Sequence, residues 1–241
     1  EYVYDFDGAT PEKITIKNKE DEQGMLDGYR FYNGFGNIIQ SKRESETSNL
    51  ITNDYYYDEL ARLKHGSSPY YSGEGYTAPD ISIPKTTYEY DALGRILRVI
   101  NPDGTETKIN YDHRITSVYD ENNNKKDYVE DSYGNIIAVK EYDNDKIYTT
   151  NYEYDATSNL IKIQDNQDNI IRYTYDTLGR KIRLIDPDLG SWSYKYDNAG
   201  NLIEQIDAKE NKISMRYDDL NRVTNKLTSS STVNYYYDLD T

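Results

Sequence analysis

Between Tyr152 and Asp218 apolar and polar residues alternate one for one, in short runs that return every 21 residues. Tyr173 and Tyr175 flank Thr174; Trp192, Tyr194 and Tyr196 alternate with Ser193 and Lys195; Ile182 and Leu184 alternate with Lys181 and Arg183. A period of two predicts β-strands. One strand of each unit ends in the pair Tyr-Asp, at Tyr154-Asp155, Tyr175-Asp176, Tyr196-Asp197 and Tyr217-Asp218, with Tyr152, Tyr173, Tyr194 or Met215 two residues before the Tyr. Two variable residues follow, then Ser158, Gly179, Gly200 or Asn221, then Asn159, Arg180, Asn201 or Arg222. Self-similarity at a fixed period of about 20 to 50 residues marks a repeat architecture.

The segments between the runs read as turns. Asp176 to Gly179 suits a type I turn, with Asp accepting a backbone hydrogen bond at the first position and Gly at the last. A Gly in that place can take positive φ and close a hairpin with a bulge. The second connection, Asp186-Pro187-Asp188-Leu189-Gly190, has counterparts at Asn101-Pro102-Asp103-Gly104 and at Asp165 to Asn169. One repeat is therefore two strands and two turns. Residues one, three and five before each Asp form an aromatic and aliphatic ladder: Tyr175, Tyr173, Ile171; Tyr196, Tyr194, Trp192; Tyr217, Met215, Ile213. That face is expected to be buried, and the face carrying Arg172, Thr174, Ser193, Lys195, Ser214 and Arg216 to be solvated.

Degenerate copies fill the first half. Tyr2, Tyr4 and Asp5 form the first, followed by a polar turn from Lys17 to Gly24; Asn33, Gly36 and Asn37 mark the second; Tyr55, Tyr57, Asp58 and Arg62 the third. Tyr88, Tyr90, Asp91, Gly94 and Arg95 restore the full pattern, which Tyr111-Asp112 and Tyr128, Asp131, Gly134 and Asn135 keep in part. The expected organisation is one tandem array over 1–241, degenerate over 1–131 and regular over 152–241. It is interrupted by an inserted loop over 65–84, rich in Gly, Pro, Ser and Tyr. Long loops are often functional, and Tyr70, Tyr71 and Tyr76 make this one a possible binding loop. Lacking an initial Met and ending in a fresh unit at Tyr237-Asp238, the chain is expected to be a fragment of a longer array.

Composition changes the picture in two ways. There are 28 Tyr against 3 Phe and 1 Trp, so Tyr is the main packing residue. A mean hydropathy of −0.97 would otherwise suggest disorder, but a 13% aromatic chain with strict alternation is expected to fold. The net charge of −15 argues against a nucleic-acid partner, which needs concentrated Lys and Arg. No stretch approaches the roughly 18 apolar residues of a membrane-spanning helix.

Candidate chemistry is sparse. His65 and His113 are the only imidazoles and there is no Cys, so no zinc site is expected. Asp143-Asn144-Asp145 and Asp165 to Asn169 are oxygen-rich, but they lack the Gly and distal Glu of a calcium loop and read as turns. No cofactor, metal or catalytic residue is expected. An Asp in every repeat at the same turn position is explained by backbone hydrogen bonding, which gives Asp91, Asp155, Asp176, Asp197 and Asp218 structural roles.

Written as Y-x-Y-D-x-x-G-[RN], with "YEYDALGR", "YTYDTLGR" and "YKYDNAGN" as its clearest copies, the chain resembles the YD-repeat or RHS-repeat family over essentially its whole length. The resemblance implies a long antiparallel sheet of tandem hairpins, curling into a spiral or part of a hollow shell. Such shells enclose a toxic C-terminal domain in insecticidal toxin complexes and polymorphic RHS toxins, and a similar barrel serves adhesion in teneurins. Sheet physics agrees on curling, since eleven units give about 22 strands and a width on the order of 100 Å, whereas twisted open sheets rarely exceed about 10 strands. Cores of this family often end in an Asp-Pro-x-Gly self-cleaving segment. Asp186 to Gly190 carries an extra residue and Asn101 to Gly104 begins with Asn, so autoproteolysis is not expected. The expected function is a non-enzymatic shell segment, secreted or at the cell surface. Its partners would be further repeats and a C-terminal toxin domain of its own longer chain. The alternative is an adhesion module binding a glycan or protein through exposed tyrosines.

Overall fold

The computed structural model describes residues 2–5, 11–19, 25–45 and 49–237. Part of the polar turn expected over 17–24 lies outside the described residues, as does Asp238 of the last Tyr-Asp pair. The described residues hold 22 strands and no helix, and every described pairing is antiparallel. Contacts divide the chain into two compact units: residues 1–110 with 118–124, and residues 111–117 with 125–241.

In the second unit each strand pairs with the next in sequence, from Lys125–Glu130 to Thr232–Asn234. The turns set this register. Gly179 N–H donates to the Asp176 carbonyl at 3.0 Å, and Asp176 N–H donates to the Arg180 carbonyl at 3.0 Å. Gly179 sits at φ 76°, and the ladder shifts by one residue between Thr174 and Tyr175, so the hairpin is a type I turn closed by a bulge. Gly94, Gly134 and Gly200 repeat that backbone, and Ala61, Ser158 and Asn221 adopt it without Gly.

The alternation places Tyr152, Ile163 and Ile171 in one cross-strand row, and Tyr173, Leu184 and Trp192 in the next. Lys195 and Glu204 pair on the opposite face, 2.7 Å apart. The ladder face is only half-buried, however. Tyr173, Tyr175, Trp192, Tyr194 and Tyr196 all keep solvent contact, and Asp127 is the one buried residue among this unit's described residues.

The first unit runs from Tyr2–Asp5 through Glu12–Lys19, Met25–Tyr32 and Ile38–Arg43 to Leu50–Tyr57. Leu50–Tyr57 is shared along its free side by Leu63–Ser67 and Tyr70–Ser72, and the sheet continues through Lys85–Tyr90, Ile96–Ile100 and Glu106–Asp112. The segment expected as an inserted loop over 65–84 thus contributes the end of Leu63–Ser67 and the short strand Tyr70–Ser72, and the residues after Ser72 fold over one face. That covered face is the one opposite Tyr55 and Tyr57. Leu50, Thr52 and Asp54 are buried, while Ile51, Asn53 and Tyr55 are not.

The expected curl into a spiral or hollow shell is corrected by these findings. Each unit is an open ladder in which no described pairing joins the last strand back to the first. Curling is driven by burying one face continuously. Here the covering in the first unit lies on the non-ladder face, and in the second unit both faces stay wet.

Candidate functional site

The most regular arrangement of polar groups is the Tyr-Asp turn itself. Asp176 Oδ1 accepts the N–H groups of Leu178 at 2.9 Å and Arg180 at 3.0 Å, while Oδ2 accepts Arg180 Nε at 2.7 Å. Asp91 and Asp218 do the same with Arg95 and Arg222, and Asp155 and Asp197 with the amides of Asn159 and Asn201. These bonds favour the carboxylate. The backbone N–H of Arg180 holds Asp176 below its ordinary value, and the amide of Asn159 leads the set that brings Asp155 down to about 2.

The second Tyr of each motif reaches out of its own repeat. Tyr175 OH donates to the Leu160 carbonyl, Tyr196 to Lys181, Tyr217 to Leu202 and Tyr154 to Ile136, each at 2.9 Å, and Tyr90 donates to Leu63 at 2.7 Å. The acceptor is in every case the residue after the Arg or Asn of the preceding turn. At Arg180 and Arg62 a second link forms. The Arg180 guanidinium lies 4.9 Å from the Tyr196 ring centre and donates to the Asp197 carbonyl at 2.9 Å. Arg62 relates to Tyr90 and Asp91 in the same way, at 4.7 Å and 3.2 Å. Asn201 bridges instead to Asn221, at 2.8 Å. The first Tyr of the motif, at Tyr88, Tyr152, Tyr173 and Tyr194, has no hydroxyl partner among the described residues. Its ring lines the ladder row, with Lys181 Nζ 4.9 Å above Tyr194.

Sequence reading missed a second use of the same device. Asp120, Asp165 and Asp207, in the other connection of the repeat, cap Asn124, Asn169 and Asn211 through identical bonds. The Asp-x-x-x-Asn spacing is shared with Asp155 and Asp197, and that was the available signal. Asp186 accepts the N–H groups of Asp188 and Leu189, each at 2.8 Å, so this connection is also a side-chain-capped turn.

The segment from Tyr70 onward builds an extensive buried polar cluster in the first unit. Gln40 Nε2 donates to Asp54 Oδ1 at 2.6 Å and to the Thr77 carbonyl at 2.9 Å. Lys42, almost wholly buried, donates to Ser72 Oγ at 2.7 Å and to the Gly73 carbonyl at 2.8 Å. Burial lowers the Lys42 pKa, and Asp54 partly offsets this. Tyr70 OH donates to Asp54 Oδ2 at 2.8 Å; burial first, then that bond, pushes the phenol pKa up. Of the three tyrosines of the possible binding loop, Tyr70 is thus held inward, Tyr76 packs its ring 5.8 Å from Phe31, and Tyr71 points out at 63% exposure. The clue in the sequence was Leu50, Thr52 and Asp54 alternating on one face, opposite hydroxyl residues of the insertion.

His65 bonds Thr87 Oγ1 at 3.0 Å and His113 bonds Asp112 at 2.6 Å, with no shared partner. Among the described residues no group of three His, Cys, Asp or Glu side chains is arranged to hold a metal ion.

No curated protein matches the chain by sequence. The Teneurin YD-shell family profile matches residues 131–241 and the RHS Repeat profile residues 84–106, together more than half of the chain. Among solved structures, the TcdB2-TccC3 crystal structure superposes with a TM-score of 0.76 at 17% identity, covering 96% of this chain and 15% of that one. TcdB2-TccC3-Cdc42 gives 0.74 at 16% identity, covering 94% and 14%; the Photorhabdus luminescens Tc holotoxin pore with a TccC3 variant gives 0.72 at 17%, covering 93% and 14%. The chain thus spans about one seventh of the length of those chains, and the likeness is one of fold. The Tyr staple and the Asp-capped turn recur through the chain, and over residues 84–106 and 131–241 it is similar to the YD/RHS-repeat family.

Proposed function

We propose that the chain is a structural, non-catalytic segment of a larger secreted YD/RHS-repeat protein of the toxin-complex kind. It serves as a wall panel that helps to enclose or present a domain outside these residues. One observation carries the reading: the Asp and the second Tyr that recur in the array are consumed in holding it together. Asp has both oxygens occupied within its own turn, and Tyr spends its hydroxyl on the preceding hairpin. The partners are then other chains or domains of the larger assembly, and the half-buried ladder face offers them an aromatic surface. Secretion, and the domain that is enclosed, rest on likeness to the toxin-complex structures.

Hydroxyl-radical footprinting read by mass spectrometry tests this on the full-length protein. Tyr173 and Tyr194 should be modified several-fold less there than in the isolated 241-residue chain. Equal modification would leave the ladder face without a partner and contradict the wall reading.

A second reading, recognition of a glycan or protein at a cell surface, is favoured by the exposure of Tyr71. A glycan array probed with the chain and with Tyr71→Ala tests it; silence across glycan classes counts against it.

A further inference from the structure

Beside the covered face of the first unit lies an open cleft of about 490 Å³, within the range of ligand sites. Its aromatic lining comes from Phe35, Tyr55, Tyr56, Tyr57 and Tyr76. Phe35, at the tip of the turn from Asn33 to Asn37, is 90% exposed, so its ring is open to an incoming group. The hydroxyls of Tyr56 and Tyr76 have no hydrogen-bond partner among the described residues. The charged side chains of the lining are Asp58 and Glu59, with no Lys or Arg. Asp58 is neutralised by Arg62 at 2.7 Å, whereas Glu59, exposed on the next residue, has no ion pair among the described residues.

We infer that this cleft receives an arginine side chain from a partner protein, the guanidinium stacking on the Phe35 and Tyr76 rings and pairing with Glu59. A cation is drawn to the negative face of aromatic rings, and a planar guanidinium can stack on a ring while its edge donates to a carboxylate. Charge selects the occupant. Glu59 is the uncompensated carboxylate of the lining in a chain of net charge −15, so an anionic ligand is repelled and a cation is favoured. The array supplies its own precedent, since Arg62 and Arg180 each stack on a Tyr ring while bonding an Asp carboxylate. This inference refines the second reading above by naming the partner's chemistry, and it does not depend on the wall reading.

The test is a titration of the chain with an end-blocked Gly-Arg-Gly peptide, followed by NMR at about 0.15 M salt, where distant charges are screened. Phe35→Ala and Glu59→Gln alter exposed side chains and should leave the fold intact. Each is expected to weaken binding by about fivefold or more, while Asp219→Asn, which removes one charge from the other unit, changes nothing. No saturable binding overturns the inference, and so does equal weakening by Asp219→Asn, which would mean bulk charge attraction. If a chitin tetrasaccharide binds and the peptide does not, the arginine assignment falls and surface recognition stands; if neither binds, both fall.

Discussion

At the residue scale the Asp-capped turn ties stability to acid. Asp155 is held at about 2 against an ordinary aspartate value of 3.8, led by the Asn159 amide. A carboxyl whose folded pKa is depressed stabilises the fold fully above the unfolded value and loses that contribution as pH falls through the folded one. Thermal stability should therefore be flat from about pH 5 to 7 and fall between about pH 4 and 2. Carbon-13 NMR should place the Asp155 carboxyl midpoint near 2; a midpoint at 3.8 would contradict the cap.

Glycine gives a second test at this scale. A Cβ at Gly190 would lie 2.5 Å from Ala208 Cβ, and the backbone there has φ 73°. Gly190→Ala should cost roughly 2 to 4 kcal/mol, from strain and overpacking together. Gly179→Val, strained by φ alone, should cost roughly 1 to 3 kcal/mol. Gly66, which the sequence placed in a loose loop, lies within the strand Leu63–Ser67 with nothing near its missing Cβ. Gly66→Val should therefore change stability by less than about 0.5 kcal/mol. Urea midpoints in the order Gly190→Ala, Gly179→Val, Gly66→Val, lowest first, are expected.

At the element scale, strands, turns and bulges were legible because period two, Asp at the turn start and Gly at its end are local signals. The tyrosine hydroxyls were not, since their acceptors lie 15 or more residues away and nothing in Tyr175 alone names the Leu160 carbonyl. The degree of burial was also misjudged. Alternation shows that two faces differ but not whether anything covers either one. In the first unit the cover came from residues 73–84, on the side of Thr52 and Asp54. Tyr194→Ala should accordingly cost about 2 kcal/mol, less than a full core truncation, from a half-buried ring and its cation contact with Lys181. Lys195→Ala, which removes an exposed Lys from a Glu204 that keeps its second partner Lys212, should stay within about 1 kcal/mol. Denaturant unfolding of the two variants decides; a larger loss for Lys195→Ala would reverse the assignment of faces.

At the scale of the whole molecule, the likeness to the YD/RHS-repeat family was legible from the repeat, while the curl inferred from strand number was not realised. Counting strands assumes one face buried along the whole array, and the covering differs between the two compact units. In a repeat array each unit is stabilised through its neighbours, so links between repeats carry the cooperativity. The central claim is that the tyrosine staples are those links. It is tested most directly by urea unfolding of a variant with Tyr154, Tyr175, Tyr196 and Tyr217 all replaced by Phe, against one with Tyr152, Tyr173 and Tyr194 replaced by Phe. At about 1 kcal/mol per bond lost, the first should lose about 4 kcal/mol and the second less than about 1 kcal/mol. Equal losses in the two variants would contradict the account, because the hydroxyls that join one repeat to the next would then matter no more than those that join nothing.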